Sequence, residues 1–169
     1  MKNELLRTIT RNAIVAAIYV VLTIATSGIS FGAVQIRIAE SLMLLCFFRR
    51  DYIWGLSIGC FIANLFSPML PWDLIIGTGA TVLACLCIRY LDFKHLLIAA
   101  LYPVIFNAFM VAAELHFILQ EGFWFSVAFV GLGEFAAVCV IGYALFMLIK
   151  HNEGAMRSLG ANRNLEAKW

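Results

Sequence analysis

The chain has 169 residues, 63% of them apolar and only 13% charged, with a formal net charge of +2. Soluble domains carry about half apolar and a quarter charged residues, so a mean hydropathy of +0.94 excludes that class. A bilayer admits only helices and closed barrels as spanning structures, and continuous apolar runs such as "AIVAAIYVVLTIA" lack the alternation of a barrel strand. These features predict an all-α membrane protein, a single integral membrane domain over 1–169. Six transmembrane helices are expected at about 10–29, 34–49, 52–68, 73–91, 95–115 and 123–149.

The first span follows a basic start, "MKNELLRTITR", and ends in small residues, "ATSGISFGA". That outline resembles a signal peptide, but the segment is read as a retained helix. Within it Ala13 and Ala17 form a small-xxx-small face, the type that marks close helix contact. Its partner is either another helix of this chain or another protein.

The second span, "VQIRIAESLMLLCFFRRD", is the odd one. Its unbroken apolar run, Leu42 to Phe48, is too short to cross alone, and Gln35, Arg37 and Glu40 precede it. Arg37 and Glu40, three apart, would share a helical face. One reading is a self-neutralising ion pair near the interface. The other is function, since intramembrane charge is costly and usually faces a cavity.

The third span contains "GLSIG", which matches the hydrolase G-x-S-x-G pattern only in letters. That motif needs a strand–turn–helix setting. Gly55 and Gly59, continued by Ala63, read instead as a close-packing helix face. Asn64 lies near the end of this span. Asp73 opens the fourth, just after "SPMLPW". The fifth carries Asn107 and Glu114, seven apart and so on one stripe, and the sixth carries Glu134 close to the bilayer midplane.

Charge sets the orientation. With a cytoplasmic N-terminus, the inner segments hold Lys2, Arg7, Arg11, Arg49, Arg50, Arg89, Lys94, Lys150, Arg157, Arg163 and Lys168, eleven of the twelve basic residues. This is a positive-inside asymmetry that places both termini in the cytoplasm, with Arg37 the exception. The buried polar groups then fall in the outer half or near the middle. A proton or ion path would need them right across, so they suggest a pocket open to the outside with an apolar floor. Segments 28–33 and 68–72 are candidates for its lid. Carboxylates (Glu40, Asp73, Glu114, Glu134), amides (Gln35, Asn64, Asn107) and ring faces (Phe31, Trp72, Phe123, Trp124, Phe125) suit a flat, hydrogen-bond-donating heterocycle, neutral or cationic. Trp124 and Phe125 read equally as an interfacial belt.

Other chemistry is poorly served. His95, His116 and His151 lie at span ends. The cysteines (Cys46, Cys60, Cys85, Cys87, Cys139) sit in apolar runs and read as small core residues, with no metal set among them. No Gly-Lys dipeptide exists, so a Walker-type phosphate loop is absent. No enzyme activity, cofactor, metal or nucleic-acid partner is expected.

The segments "VQIRIAESLMLL", "GLSIGCFIANLFSPMLPWDLIIGTGATVLA", "FNAFMVAAEL" and "VGLGEFAAVCVIGYAL" together resemble the QueT family of queuosine-precursor transporters. The resemblance runs from about residue 8 to residue 149. It implies a substrate-binding S component of an energy-coupling factor (ECF) transporter, prokaryotic, with six helices and an outward pocket for a 7-deazaguanine such as preQ1. It further implies a transmembrane coupling subunit and two ATPase subunits as partners, the alanine spacing of Ala13 and Ala17 being the contact feature of many S components. The rival readings are an S component for another vitamin or nucleobase, and a membrane scaffold that transports nothing.

Overall fold

The computed structural model describes residues 2–30, 35–91 and 95–159. Part of the expected lid (31–33, with Phe31), Val34, Lys94, Arg163 and Lys168 lie outside the described residues. All regular structure among the described residues is helical. Four stretches are long and apolar enough to cross a membrane: Asn3–Ala25, Trp72–Tyr90, Leu96–Leu119 and Phe123–Ile149. Two shorter apolar helices, Ile38–Phe48 and Tyr52–Asn64, stand where the second and third spans were expected.

The chain opens with α1 (Lys2–Ala25), with Glu4 in its first turn, where a negative charge complements the helix dipole. Its inward stripe is Val15, Ala16, Tyr19 and Thr23. A short α2 (Ser27–Ser30) follows. Ile38–Leu44 is then a 3-10 helix that passes into α3 (Leu45–Phe48). Seven residues at the 3-10 rise and four at the α rise cover roughly 20 Å of a hydrocarbon core about 30 Å thick. The stretched pitch lets this short apolar run reach further than an α-helix of equal length.

A turn carrying the Arg49 Nε–Asp51 Oδ1 ion pair, 2.8 Å, leads to α4 (Tyr52–Asn64). Partial burial pushes the Asp51 carboxyl up, but the hydrogen bond from Arg49, a backbone hydrogen bond and the positive charges of Arg49 and Arg11 together outweigh it and hold the group below its ordinary value. Helix α4 lies along α1, and the glycines explain how closely. A Cβ on Gly55 would sit 2.7 Å from the Asn12 carbonyl oxygen, and one on Gly59 3.0 Å from the Ala16 Cα. Gly55 N–H also donates to Asn12 Oδ1 at 2.9 Å. The close-packing role of Gly55 and Gly59 therefore holds, and the partner is α1; Ala63 is buried as well.

Helices α5 (Trp72–Tyr90), α6 (Leu96–Ala99) and α7 (Leu101–Leu119) come next. The break between α6 and α7 has a local cause: Pro103 has no N–H for the Ala99 carbonyl. After α8 (Phe123–Glu134) the chain widens into a π-helix, Phe135–Gly142, before α9 (Tyr143–Ile149) and α10 (Glu153–Ser158). The π-helix packs along the 3-10 helix. Gly142 allows a close approach, since a Cβ there would lie 3.0 Å from that of Ser41. The two departures from α geometry thus face each other, one at Glu40 and the other starting just after Glu134.

An apolar core fills the half nearest the basic turns. It includes Leu44, Cys46, Phe47, Phe48, Leu56, Ala84, Ile88, Leu96 and Phe146, with Phe48 and Phe146 stacked at 5.5 Å. Cys46, Cys60, Cys85 and Cys139 are buried thiols.

Candidate functional site

Each of the six apolar helical stretches contributes at least one buried polar side chain to a single cluster. Tyr19 comes from α1, Glu40 from the 3-10 helix, Asn64 from α4, Asp73 from α5, Asn107 and Glu114 from α7, and Glu134 from the end of α8. Arg37 joins them from the segment before the 3-10 helix. None of these side chains is more than 3% exposed. The cluster is closed to solvent in this conformation.

Arg37 pairs with Asp73, Nη2 to Oδ1 at 3.3 Å, and its Nε reaches the Ser30 carbonyl at 3.4 Å. The expected Arg37–Glu40 pairing on one helical face gives way to this longer-range one. Arg37 stands outside the helix, at φ −94° and ψ 89°, so the i, i+3 relation does not place it above Glu40. Gly77 on α5 makes room for the arrangement: a Cβ there would press on Asn64 Nδ2 at 3.0 Å and Arg37 Nη1 at 3.4 Å.

Glu40 is instead held by donors from three other helices. Tyr19 O–H donates to Oε1 at 2.7 Å, Thr81 Oγ1 lies 3.5 Å from the same oxygen, and Asn107 Nδ2 donates to Oε2 at 3.2 Å. Asp73 also accepts from the Ser67 hydroxyl at Oδ2. Asn64 Nδ2 donates to the Asp73 carbonyl at 2.9 Å, within reach of Cys60 Sγ at 3.4 Å and Thr78 Oγ1 at 3.3 Å. The Asn107 side chain also neighbours the Glu134 carboxylate, so its amide stands between two acids.

Four buried acceptor atoms in the cluster have no hydrogen-bond partner among the described residues. They are Asn107 Oδ1, both carboxylate oxygens of Glu114, and Glu134 Oε2. A buried acceptor left unpaired costs about 1–3 kcal/mol, more for a charged one. Native folds rarely leave several together.

The residues singled out in the sequence divide accordingly. Arg37, Glu40, Asn64, Asp73, Asn107, Glu114 and Glu134 are brought together. Gln35 is buried, with left-handed backbone, φ 47°. Trp72 is 47% exposed and stands apart from the buried cluster, and Trp124 and Phe125 also project outward. Ala13 and Ala17 lie on the exposed side of α1, while its inner side uses Ala16 and Tyr19 against α4. Sequence reasoning missed Tyr19, Ser67 and Thr81, and it read Cys60 as core only. The spacing of Tyr19 behind the small residues of α1 was a usable signal, since its hydroxyl needs a partner when buried.

The amino-terminal and carboxy-terminal helices frame a groove lined by Leu6, Arg7, Thr10, Arg11 and Ser158. It lies at the basic end, away from the acid cluster.

Residues 9–151 match the family model described as QueT transporter. A protein of Lactococcus lactis subsp. cremoris (strain MG1363), named queuosine precursor transporter QueT, is 34% identical over 154 residues, covering 82% of this chain and 89% of that protein. No solved structure matches the chain significantly.

Proposed function

The chain belongs to the QueT transporter family, a multi-pass membrane protein by its apolar helices, and from that membership we propose that it is the substrate-binding subunit of an ECF-type transporter. Its cargo is a queuosine precursor, a 7-deazaguanine such as preQ1, taken up across a prokaryotic cytoplasmic membrane. In this reading the two short helices cross with the four long ones. Both termini are cytoplasmic, and the acid cluster belongs to the outward-facing half. ATP hydrolysis belongs to two partner ATPases, and a transmembrane coupling subunit meets α1 at Ala13 and Ala17. The exposure of both alanines supports that last point, since the internal seam of α1 does not use them.

The observation that carries the reading is the set of four unpartnered acceptors on Asn107, Glu114 and Glu134. Acceptors with no donors of their own call for a ligand rich in donors. A guanine-type edge offers parallel N–H groups, which a carboxylate accepts as a pair. Affinity is within reach of so small a molecule. Nanomolar binding needs about 12 kcal/mol, roughly 1 kcal/mol for each of about 13 heavy atoms, below the ceiling of ~1.5. A dry and fully satisfied site is required for this, and burial of the cluster favours it.

Equilibrium binding of preQ1, preQ0 and queuine to the purified chain tests the proposal. Tight binding of at least one is expected, without ATPase activity. Binding of none, together with a tight hit on an unrelated vitamin such as riboflavin or thiamine, would end it.

A further inference from the structure

The buried acids of the cluster are of two kinds, told apart by what their oxygens already do. Both oxygens of Glu40 accept hydrogen bonds, from Tyr19 and from Asn107. Both oxygens of Asp73 are engaged, by Arg37 and by Ser67. These two acids tie helices together. Glu134 has one unpartnered oxygen, and Glu114 has two.

Glu114 is the extreme case. It is 1% exposed, and its charged neighbours are Asp73 and Arg37, which are paired with each other. Along α7 it is flanked by Val111 and Leu115, which form an apolar cluster with Val130 and Met69. A carboxylate in such a place is costly unless a cation or several donors meet it. The described residues supply neither to its oxygens, so the acid is poorly explained as scaffold.

We propose that Glu114 is the specificity-determining residue of the site, holding a protonated amine carried by the ligand, so that cationic members of the 7-deazaguanine class are selected over neutral ones. This rests on the functional reading above. The spacing agrees with it. Asn107 and Glu114 are two turns apart, about 10.5 Å along the helix axis, the span of a bicyclic base hydrogen-bonded at both ends. The base edge then lies at Asn107 and Glu134 and the amine at Glu114. An ammonium brings three donors, enough to occupy both Glu114 oxygens. Glu40 and Asp73 position the site without touching the amine.

The test compares preQ1, which carries an aminomethyl group, with preQ0, which carries an uncharged nitrile, on the purified full chain and its Glu114→Gln variant. Wild type binds preQ1 more tightly than preQ0. Glu114→Gln weakens preQ1 by at least about 30-fold and changes preQ0 by less than about 3-fold, the scale of one lost charge-assisted contact. The ligand-free melting temperature stays level or rises, because an unpaired buried charge has been removed, whereas Asp73→Asn and Glu40→Gln lower it. Equal losses for the two ligands, or an unchanged preQ1 affinity, would overturn the Glu114 assignment while leaving the transport reading intact. A fall in ligand-free melting temperature in both Glu114→Gln and Glu114→Met would mark the carboxylate as structural and overturn it too. Wild type that binds no 7-deazaguanine removes the functional reading and this inference with it.

Discussion

Arg37 is the one cation among the buried polar groups of the described residues, and four carboxylates accompany it. Replacing it by Met removes the charge with little change in side-chain length. The pair with Asp73 at 3.3 Å corresponds to an attraction of roughly 5 kcal/mol at an effective dielectric of about 20. Part of that is offset by the desolvation Arg37 no longer suffers. What remains is an uncompensated buried acid, for which about 3–5 kcal/mol of lost stability is the usual result. Removing Asp73 is a different perturbation. In Asp73→Asn the guanidinium keeps the Ser30 carbonyl and still faces the other acids, so the loss should be smaller, about 1–3 kcal/mol. The double variant Arg37→Met/Asp73→Asn removes both charges and should recover much of the single Arg37→Met loss, since a buried pair replaced by neutral groups is often close to neutral overall. Equilibrium unfolding of the four proteins in one detergent gives the cycle. The order expected is parent, Asp73→Asn, double variant, Arg37→Met, from most to least stable. An Arg37→Met variant within about 1 kcal/mol of the parent, or one more stable than Asp73→Asn, would refute the idea that this arginine compensates the buried charge of Asp73.

Glu134→Gln should weaken preQ1 and preQ0 alike, by about 2–4 kcal/mol or roughly 30- to 1000-fold, because a donor then faces the donors of the base edge; isothermal titration reads this directly, and changes within about 3-fold for both place the base elsewhere. Ala13→Leu/Ala17→Leu should abolish cellular uptake and co-purification of the coupling subunit while leaving ligand affinity of the isolated chain nearly intact, since bulk there blocks a partner helix; normal uptake would show that this face has no such role. Gly55→Ala should cost about 1–3 kcal/mol by overpacking against Asn12, measured by thermal unfolding, and an unaltered transition would mean that α1 and α4 separate without penalty.

Much of this protein is legible in one pass along the chain. Apolar runs place the helices in order and, apart from α1, which begins at Lys2 where the span was expected from residue 10, within about four residues, because burial of a membrane helix depends on the length and composition of a local stretch. The Gly55–Gly59–Ala63 face announces close packing by side-chain size alone. The costly polar groups, Glu40, Asp73, Asn107, Glu114 and Glu134, stand out against an apolar background. Their division of labour does not. Which acid meets Arg37, and which keeps its oxygens unpaired, depends on how each helix is rotated about its own axis. That rotation is set by packing, and by where a helix begins. Arg37 stands just before the 3-10 helix with non-helical backbone, φ −94° and ψ 89°, so it misses Glu40, three residues away in sequence, and meets Asp73, thirty-six residues away. Tyr19 becomes the partner of Glu40 for the same reason: local spacing determines what can be buried, and only the assembled helices determine what it is buried against.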